Sequence, residues 1–380
     1  MANFLEKVLA GDVSSFLKSG GGSVLGIDIG SSSIKVVQLR RHRGAAVLET
    51  YGELSLGPYA GVEIGRATSL PAEKLAEALT DVLKEANVTA KSCALSIPFS
   101  ASLISLIEMP ALSDDQLKKM IPIEARKYIP VPITEVTLDW FILPEESRKF
   151  LAGGGEEPAA EDRRFERAQV LLVAIHNETL AKYHAVVNHA GLSARFFEIE
   201  IFSTIRSTIT QNAAPVMVID LGAATTKLYI VEYGIVRSSH IINKGSQDVT
   251  LTLSRMLGVS VAKAEELKRE SGVGERAGEP HLSEAALLTL EYIFAEAKRV
   301  LLQYEERNKR NVRQVLFVGG GALLKGLLPR AAKQFETEVA LGLPFARVEA
   351  PAFLEQVLLE TGPSFSVALG LALRELSEQG

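Results

Sequence analysis

Residues 24–39 read VLGIDIGSSSIKVVQL, a stretch that places one acid, Asp28, between two apolar runs joined by small residues. The same arrangement returns at residues 216–231, VMVIDLGAATTKLYIV, without a gap and at a constant spacing of 192 residues. The positions that coincide are Val24 and Val216, Ile27 and Ile219, Asp28 and Asp220, Gly30 and Gly222, and Lys35 and Lys227. The chain therefore uses one strand–turn–strand device twice.

This device is suited to binding phosphate. A tight turn of glycine and hydroxyl residues between two strands points successive backbone N–H groups outward, which makes a small anion nest. Two facing copies would hold a polyphosphate from both sides. The acid that ends each leading strand would hold a magnesium ion, usually through water molecules, because magnesium keeps much of its hydration shell. One copy alone would be weak evidence, because Asp-x-Gly is a common turn sequence. The predicted phosphate-binding residues are Gly30, Ser31, Ser32, Ser33, Lys35, Gly222, Ala223, Thr225 and Thr226, and the predicted metal ligands are Asp28 and Asp220.

Composition excludes several classes of protein. A chain of 380 residues indicates two domains or more, and a net charge of −5 provides no basic surface for nucleic acid. The single cysteine, Cys93, excludes an internal disulfide and lies in an apolar run typical of an inert buried thiol. No apolar stretch approaches the roughly 18 residues of a membrane span, and Glu6 and Asp12 interrupt any signal peptide. These features predict a cytoplasmic protein.

The rest of the chain alternates strands with helices, which is typical of an α/β protein. A polar insert at 145–168 is predicted to be a surface loop. Residues 315–327, VLFVGGGALLKGL, predict a buried strand, a triple-glycine turn and a helix. The sequence contains neither a Walker loop, nor the metal motifs HExxH and CxxC, nor the G-x-S-x-G of a serine hydrolase.

Together these motifs resemble those of the actin superfamily. The two hairpins resemble its phosphate loops, and residues 315–327 resemble its adenosine motif. Residues 261–270, VAKAEELKRE, resemble a helix that faces the ribose, although the Glu265–Lys268 pair alone would be interpreted as a surface salt bridge. Residues 198–203, EIEIFS, resemble the segment whose acid orients the attacking water. The resemblance implies that Gly319, Gly320, Gly321, Glu265 and Lys268 bind the nucleotide and that Glu200 and Asp220 are catalytic.

Within that superfamily, residues 26–39, 121–140 and 366–376 resemble the PilM family of type IV pilus assembly. The likeness runs from about residue 23 to 376. It implies an α/β, actin-like ATPase (ribonuclease H-like) two-domain fold with an inserted α+β module of the FtsA/PilM type. The implied divisions are a flexible segment at 1–22, a subdomain at 23–92 completed by a helix at 361–376, the inserted module at 93–196, a subdomain at 197–245 and 311–360, and a helical subdomain at 246–310.

The resemblance also implies partners and cofactors. ATP and Mg²⁺ would occupy the site, and the cytoplasmic tail of a PilN-type inner-membrane protein would dock in a groove of the first domain. The chain would then reach the inner membrane only through that partner. Other pilus assembly components and further copies of the chain are additional possible partners. In the inserted module, the apolar helix with Leu117, Met120 and Ile121 offers a surface for an extended tail, although internal packing explains these residues equally well.

Two departures from the superfamily pattern bear on turnover. Ala223 and Ala224 replace glycines of the second phosphate loop, and their methyl groups restrict the backbone. Lys227 stands where FtsA and the chaperones carry an aspartate. ATP binding is therefore predicted, with hydrolysis slow or absent.

Two other functions remain open at this point. One is an FtsA-like division filament, which normally ends in a linker and an amphipathic membrane helix, whereas this sequence stops soon after its last predicted core helix. The other is a small-molecule kinase, which needs a catalytic base for the substrate hydroxyl. The sequence shows no polar signature for a sugar pocket.

Overall fold

The computed structural model describes residues 22–110, 113–143, 167–210, 214–273 and 280–379. Almost all of the segment predicted at 1–22, and most of the insert predicted at 145–168, lie outside the described residues.

Strands and helices alternate along the described chain. The strands are β1 Val24–Ile29, β2 Ser33–His42, β3 Ala45–Ser55, β4 Ser92–Ile97, β5 Ser102–Pro110, β6 Val136–Ile142, β7 Arg167–His176, β8 Ser193–Ile199, β9 Val216–Leu221, β10 Thr226–Glu232, β11 Ile235–Ile242, β12 Gln314–Val318 and β13 Glu338–Leu341. The helices are α1 Ala72–Glu85, α2 Asp114–Ala125, α3 Asn177–His189, α4 Glu200–Thr208, α5 Ser246–Leu257, α6 Val261–Ser271, α7 Pro280–Asn308, α8 Leu327–Phe335, α9 Glu355–Thr361 and α10 Ser366–Glu378. This alternation confirms the α/β class.

The chain forms two compact units. Ile97–Lys182 makes up one, called here the inserted unit, and the described parts of Val13–Ser96 and Tyr183–Gly380 make up the other, the main unit. The inserted unit is thus an excursion in the sequence of the main unit.

The main unit contains two five-stranded sheets with the same order of strands. The first runs β3-β2-β1-β4-β8, and the second runs β11-β10-β9-β12-β13. In each sheet the first three strands are antiparallel, and the leading strand then pairs in parallel with the next, β1 with β4 and β9 with β12. Helices α5, α6 and α7 fall in the block predicted to be helical at 246–310.

The repeated hairpin is confirmed in register as well as in sequence. Asp28 lies opposite Lys35 in the first sheet, and Asp220 lies opposite Lys227 in the second. The turns also match, because the glycine N–H of each donates to a carbonyl three residues later, over 3.0 Å in the first turn and 3.1 Å in the second. The local pattern of small and apolar residues therefore produces the same backbone twice.

Helix α10 packs closely against strand β1 and helix α4, and a glycine lies at each contact. A methyl group on Gly26 of β1 would lie 1.9 Å from the carbonyl oxygen of Ala368, and one on Gly370 would lie 1.9 Å from the carbonyl oxygen of Ser203 in α4. The missing side chains let the backbones approach closely, which helps to bury apolar surface in this core. The segment Ala352–Glu378 is long and apolar enough for a membrane span, but 67% of its most apolar window is buried, as is typical of core helices.

The inserted unit is a three-stranded antiparallel sheet, in the order β5-β7-β6, covered by α2. Ser113 begins α2 in a capping box with Gln116, whose side chain accepts from the Ser113 N–H over 3.1 Å. Leu117 and Ile121 are buried in the core of this unit, whereas Met120 is 39% exposed. Two of the three residues considered for a partner surface therefore serve internal packing.

The boundaries of the inserted unit differ from the module predicted at 93–196. Strands β4 and β8, which lie at the two ends of that range, are neighbours in the first sheet of the main unit. Strand β4 reads SCALSI and is apolar, whereas β8 reads SARFFEI and is partly polar, so the two share no pattern that would mark them as neighbours.

Candidate functional site

A cleft of about 370 Å³ opens in the main unit where the two hairpins meet the glycine-rich turn after β12. Residues from β1, β2, β9, α4, α6 and the turn at Gly319 line it. The cleft is thus built from both copies of the repeated device.

The first hairpin brings a buried carboxylate and an ammonium group to this cleft. Asp28 Oδ1 accepts a hydrogen bond from Ser96 Oγ over 2.8 Å. Burial raises the pKa of the Asp28 carboxyl, and the charge of Lys35 opposes that rise. Lys35 Nζ donates to Ser33 Oγ over 2.7 Å and lies 3.3 Å from Glu53 Oε1. The lysine is therefore held beside the glycine–serine turn of its own hairpin.

In the second hairpin the lysine lies between two acids. Lys227 Nζ is 2.8 Å from Glu200 Oε2 and 3.2 Å from Asp220 Oδ2. Burial by itself would lower the pKa of Lys227, but the charges of Asp220 and Glu200 raise it above its usual value. The hydroxyl of Thr226 donates to the Lys244 carbonyl over 2.8 Å.

The glycine-rich turn fits closely against the second hairpin. Gly319 has φ +83°, in the left-handed region that favours glycine, and a methyl group there would lie 2.4 Å from Asp220 Oδ1. A methyl group on Gly321 would lie 2.4 Å from Leu221 Cγ. No atom lies within 4 Å of a methyl group placed on Gly320, so a ligand could approach the backbone at this position.

The opposite wall of the cleft is α6. Lys268 Nζ lies 2.6 Å from Glu265 Oε2, and the Thr250 hydroxyl donates to the same oxygen over 2.6 Å. Burial raises the pKa of Glu265, but Lys268 more than offsets this and holds it below its usual value. This pair is buried, so the interpretation as an ordinary surface salt bridge does not describe it.

The structure brings nearly all of the predicted site residues to this one cleft. The predicted residues that line it are Asp28, Gly30, Ser31, Ser32, Ser33, Lys35, Glu200, Asp220, Gly222, Ala223, Thr225, Glu265, Lys268, Gly319, Gly320 and Gly321. Thr226 is fully buried and does not line the cleft. Its hydroxyl orders the backbone behind the second turn instead.

Sequence reasoning also missed several residues that line the cleft, among them Glu53, Gly65 and Arg269. Glu53 lies opposite Lys35 in the register of β2 and β3, so a correct strand alignment would have revealed it. A methyl group on Gly65 would lie 3.0 Å from Glu265 Cβ, a proximity that arises only through the fold. Arg269 Nε donates to Glu265 Oε1 over 2.8 Å, a spacing of four residues that the helix pattern makes visible.

The residues predicted for magnesium do not make a ready cage for it. No group of three or more histidine, cysteine, aspartate and glutamate side chains within the described ranges is arranged to hold a metal ion. Asp28 already accepts from Ser96, and Asp220 is engaged by Lys227. Asp220 and Glu200 share the ammonium group of Lys227, so a directly bound divalent ion would have to compete with that lysine.

Comparison with known proteins identifies relatives over nearly the whole chain. The family model described as type IV pilus assembly protein PilM matches residues 26–376. The cell division protein FtsA of Streptococcus pneumoniae serotype 2 (strain D39 / NCTC 7466) is 24% identical over 367 residues, covering 89% of this chain and 79% of FtsA.

Solved structures show the same fold. The PilM-PilN type IV pilus biogenesis complex superimposes with a TM-score of 0.75 at 24% identity, covering 93% of this chain and 98% of the other. MreB 5 of Spiroplasma citri bound to AMPPNP gives a TM-score of 0.51 at 12% identity, covering 95% of this chain and 98% of the other. These likenesses confirm the predicted actin-like fold.

Proposed function

The chain belongs to the PilM family of type IV pilus assembly proteins, and from this premise we propose that it is an actin-like, ATP-binding scaffold of the pilus assembly platform. The observation that supports ATP binding is the cleft itself. Two matched phosphate turns and a bare glycine turn converge there, in a fold shared with a protein solved bound to AMPPNP. The family match also favours the pilus protein over the division filament and the small-molecule kinase.

Each wall of the cleft offers one kind of contact to ATP. The turns at Gly30 and Gly222 would receive the phosphates on backbone N–H groups, with Lys35 adding a point charge. Glu265 and Lys268 would face the ribose, and the turn at Gly319 would lie against the adenosine. Turnover is proposed to be slow or absent, because Glu200 is engaged by Lys227 rather than free to accept a proton from water.

Thermal unfolding with ATP tests the nucleotide part. Ligand at about a hundredfold above Kd should add about 2.7 kcal/mol to the free energy of unfolding. Lys35→Ala should remove most of that gain, because the phosphates lose the point charge that the first hairpin supplies. Lys74→Ala, at an exposed position of α1, serves as the matched control and should behave like the parent. Equal gains in Lys35→Ala and the parent would contradict a role for the first hairpin in binding ATP.

The proposed partner is the cytoplasmic tail of a PilN-type membrane protein, which would hold this chain at the inner membrane from the cytoplasmic side. The PilM-PilN complex is the structural relative that supports it. On the inserted unit, Met120, Ile123 and Tyr128 are 39%, 65% and 41% exposed, and they lie on α2 or in the turn after it. Exposed apolar side chains of this kind suit an extended apolar segment of a partner.

Calorimetric titration with a synthetic peptide copying that tail tests the partner. We expect micromolar or tighter binding, weakened about tenfold by Ile123→Glu because a charge would have to be buried under the peptide. Lys118→Gln on the same helix alters an exposed side chain and should leave binding unchanged. Repeating the titration with ATP measures coupling, which by reciprocity must act equally on both ligands. Absence of binding with and without ATP would contradict the scaffold role.

A further inference from the structure

The two copies of the hairpin use their lysines differently. Lys35 and Lys227 occupy equivalent positions, each opposite the aspartate of its leading strand. Lys35 nevertheless turns toward Ser33 and Glu53, along its own hairpin. Lys227 turns into the centre of the site, between Glu200 and Asp220. The repeat is therefore symmetric in backbone and asymmetric in charge.

Lys227 lies at the point where negative charge is concentrated. Asp28, Glu200 and Asp220 are all buried, and their side chains line the same cleft. A polyphosphate brought beside three carboxylates meets strong repulsion unless a cation lies between them. In a metal-dependent site a divalent ion supplies that charge; here an ammonium group already does, within 3.2 Å of two of the acids.

The ammonium group is a fixed part of the site. The side chain of Lys227 is only 16% exposed, and its partners come from two different elements, α4 and β9. Displacing it would leave buried carboxylates without a counter-charge, which is costly. A magnesium ion entering at the same place would meet the positive charge of the lysine at close range.

Building on the proposed nucleotide function, we propose that Lys227 is a built-in cation that takes the place of a divalent metal in this cleft, so that nucleotide binds without magnesium. The same contact occupies Glu200 Oε2. The site therefore binds nucleotide without cleaving it. Lys227 accounts both for binding without magnesium and for the absence of hydrolysis.

Calorimetric titration of the full chain with ATP, in excess EDTA and in excess magnesium, tests this. For the parent we expect dissociation constants within about threefold of each other in the two conditions. Lys227→Met should bind at least about tenfold more weakly in EDTA and recover in magnesium, because the metal then supplies the missing charge. Lys227→Arg keeps the cation and should retain binding in EDTA.

A second readout uses magnesium alone. Without nucleotide, magnesium should raise the Tm of Lys227→Met, whose Glu200 and Asp220 no longer face an ammonium group, and leave the Tm of the parent unchanged. Lys244→Met, an exposed lysine that pairs with Asp248, is the matched control and should follow the parent in every assay. Should Lys227→Met fail to fold, the double variant Lys227→Met/Glu200→Gln removes one of the acids left without a counter-charge.

The possible outcomes separate this inference from the proposed function. Parent binding that disappears in EDTA overturns the role of Lys227 and leaves nucleotide binding intact. A parent that binds no nucleotide in either condition contradicts the proposed function, and the magnesium-only melting curves still decide whether Lys227 fills a cation position. A parent stabilised by magnesium alone as strongly as Lys227→Met also overturns the inference.

Discussion

Glu198→Gln should destabilise the main unit, because the Glu198 carboxylate joins three elements from a fully buried position. Its two oxygens accept from Arg206 over 2.7 and 2.8 Å and from Arg374 over 2.8 Å. Burial would raise the pKa of Glu198, but the two arginines lower it from the usual 4.5 to about 2. At about 1.4 kcal/mol for each pKa unit, the charged carboxylate contributes about 3 kcal/mol to the free energy of unfolding. A glutamine at this position would present an N–H donor to the guanidinium groups.

The effect should depend on pH in a defined sense. The pKa of Glu198 is lower in the folded chain than in the unfolded one, so the contribution is complete above about pH 4.5 and is lost as the pH falls toward about 2. Urea unfolding followed by far-UV circular dichroism at several pH values measures it. The parent should exceed the variant by about 3 kcal/mol at neutral pH, and the difference should shrink below about pH 4.5 and vanish only near about pH 2.

Glu378→Gln is the matched control, because Glu378 contacts the same Arg374 over 3.0 Å from a position closer to solvent. We expect it to cost about 1 kcal/mol or less. If Glu198→Gln cost no more than this control, or if the difference from the parent stayed constant into acid, the buried carboxylate would not have the role argued here.

Three further outcomes are expected. Gly26→Ala should cost at least about 2 kcal/mol in urea unfolding, since its methyl group would lie 1.9 Å from the Ala368 oxygen; an unchanged midpoint would contradict the close packing. Glu63→Ala should speed nucleotide release in stopped-flow experiments, because Glu63 Oε2 accepts from the Ala262 N–H over 2.6 Å and ties the loop after β3 to α6; unchanged release would deny this loop a role. Cys93 is fully buried and burial raises its pKa to about 12, so Ellman's reagent should react only after unfolding; fast reaction of the folded chain would show that β4 opens.

The features that sequence predicted well are local ones. The strand–turn–strand pattern around Asp28 fixes its own conformation within sixteen residues, and its gap-free recurrence at Asp220 needs no tertiary information. The turn at Gly319 is equally local, because its positive φ and close approach both demand glycine. The resemblance to the PilM family, carried by such short motifs, is confirmed by the family match.

Features that depend on distant contacts were not predictable in the same way. In the sequence Lys227 stands out only as a departure from the superfamily pattern, because nothing in its neighbourhood shows that Glu200 comes within 2.8 Å of it. Arg374 reaches Glu198 across 176 residues of sequence. In both cases the packing of α4 and α10 against the sheets brings the two side chains together. The spacing of the residues along the sequence does not reveal these contacts.

Because α10 packs on β1, the first strand stays uncovered until the last helix has been synthesised. Ser366 follows Ile29 by 337 residues (366 minus 29), so the ribosome makes the strand on the order of half a minute before the helix that covers it. During that interval the apolar face around Gly26 has no covering helix. The nascent first sheet therefore exposes apolar surface of the kind that chaperones bind and that promotes aggregation.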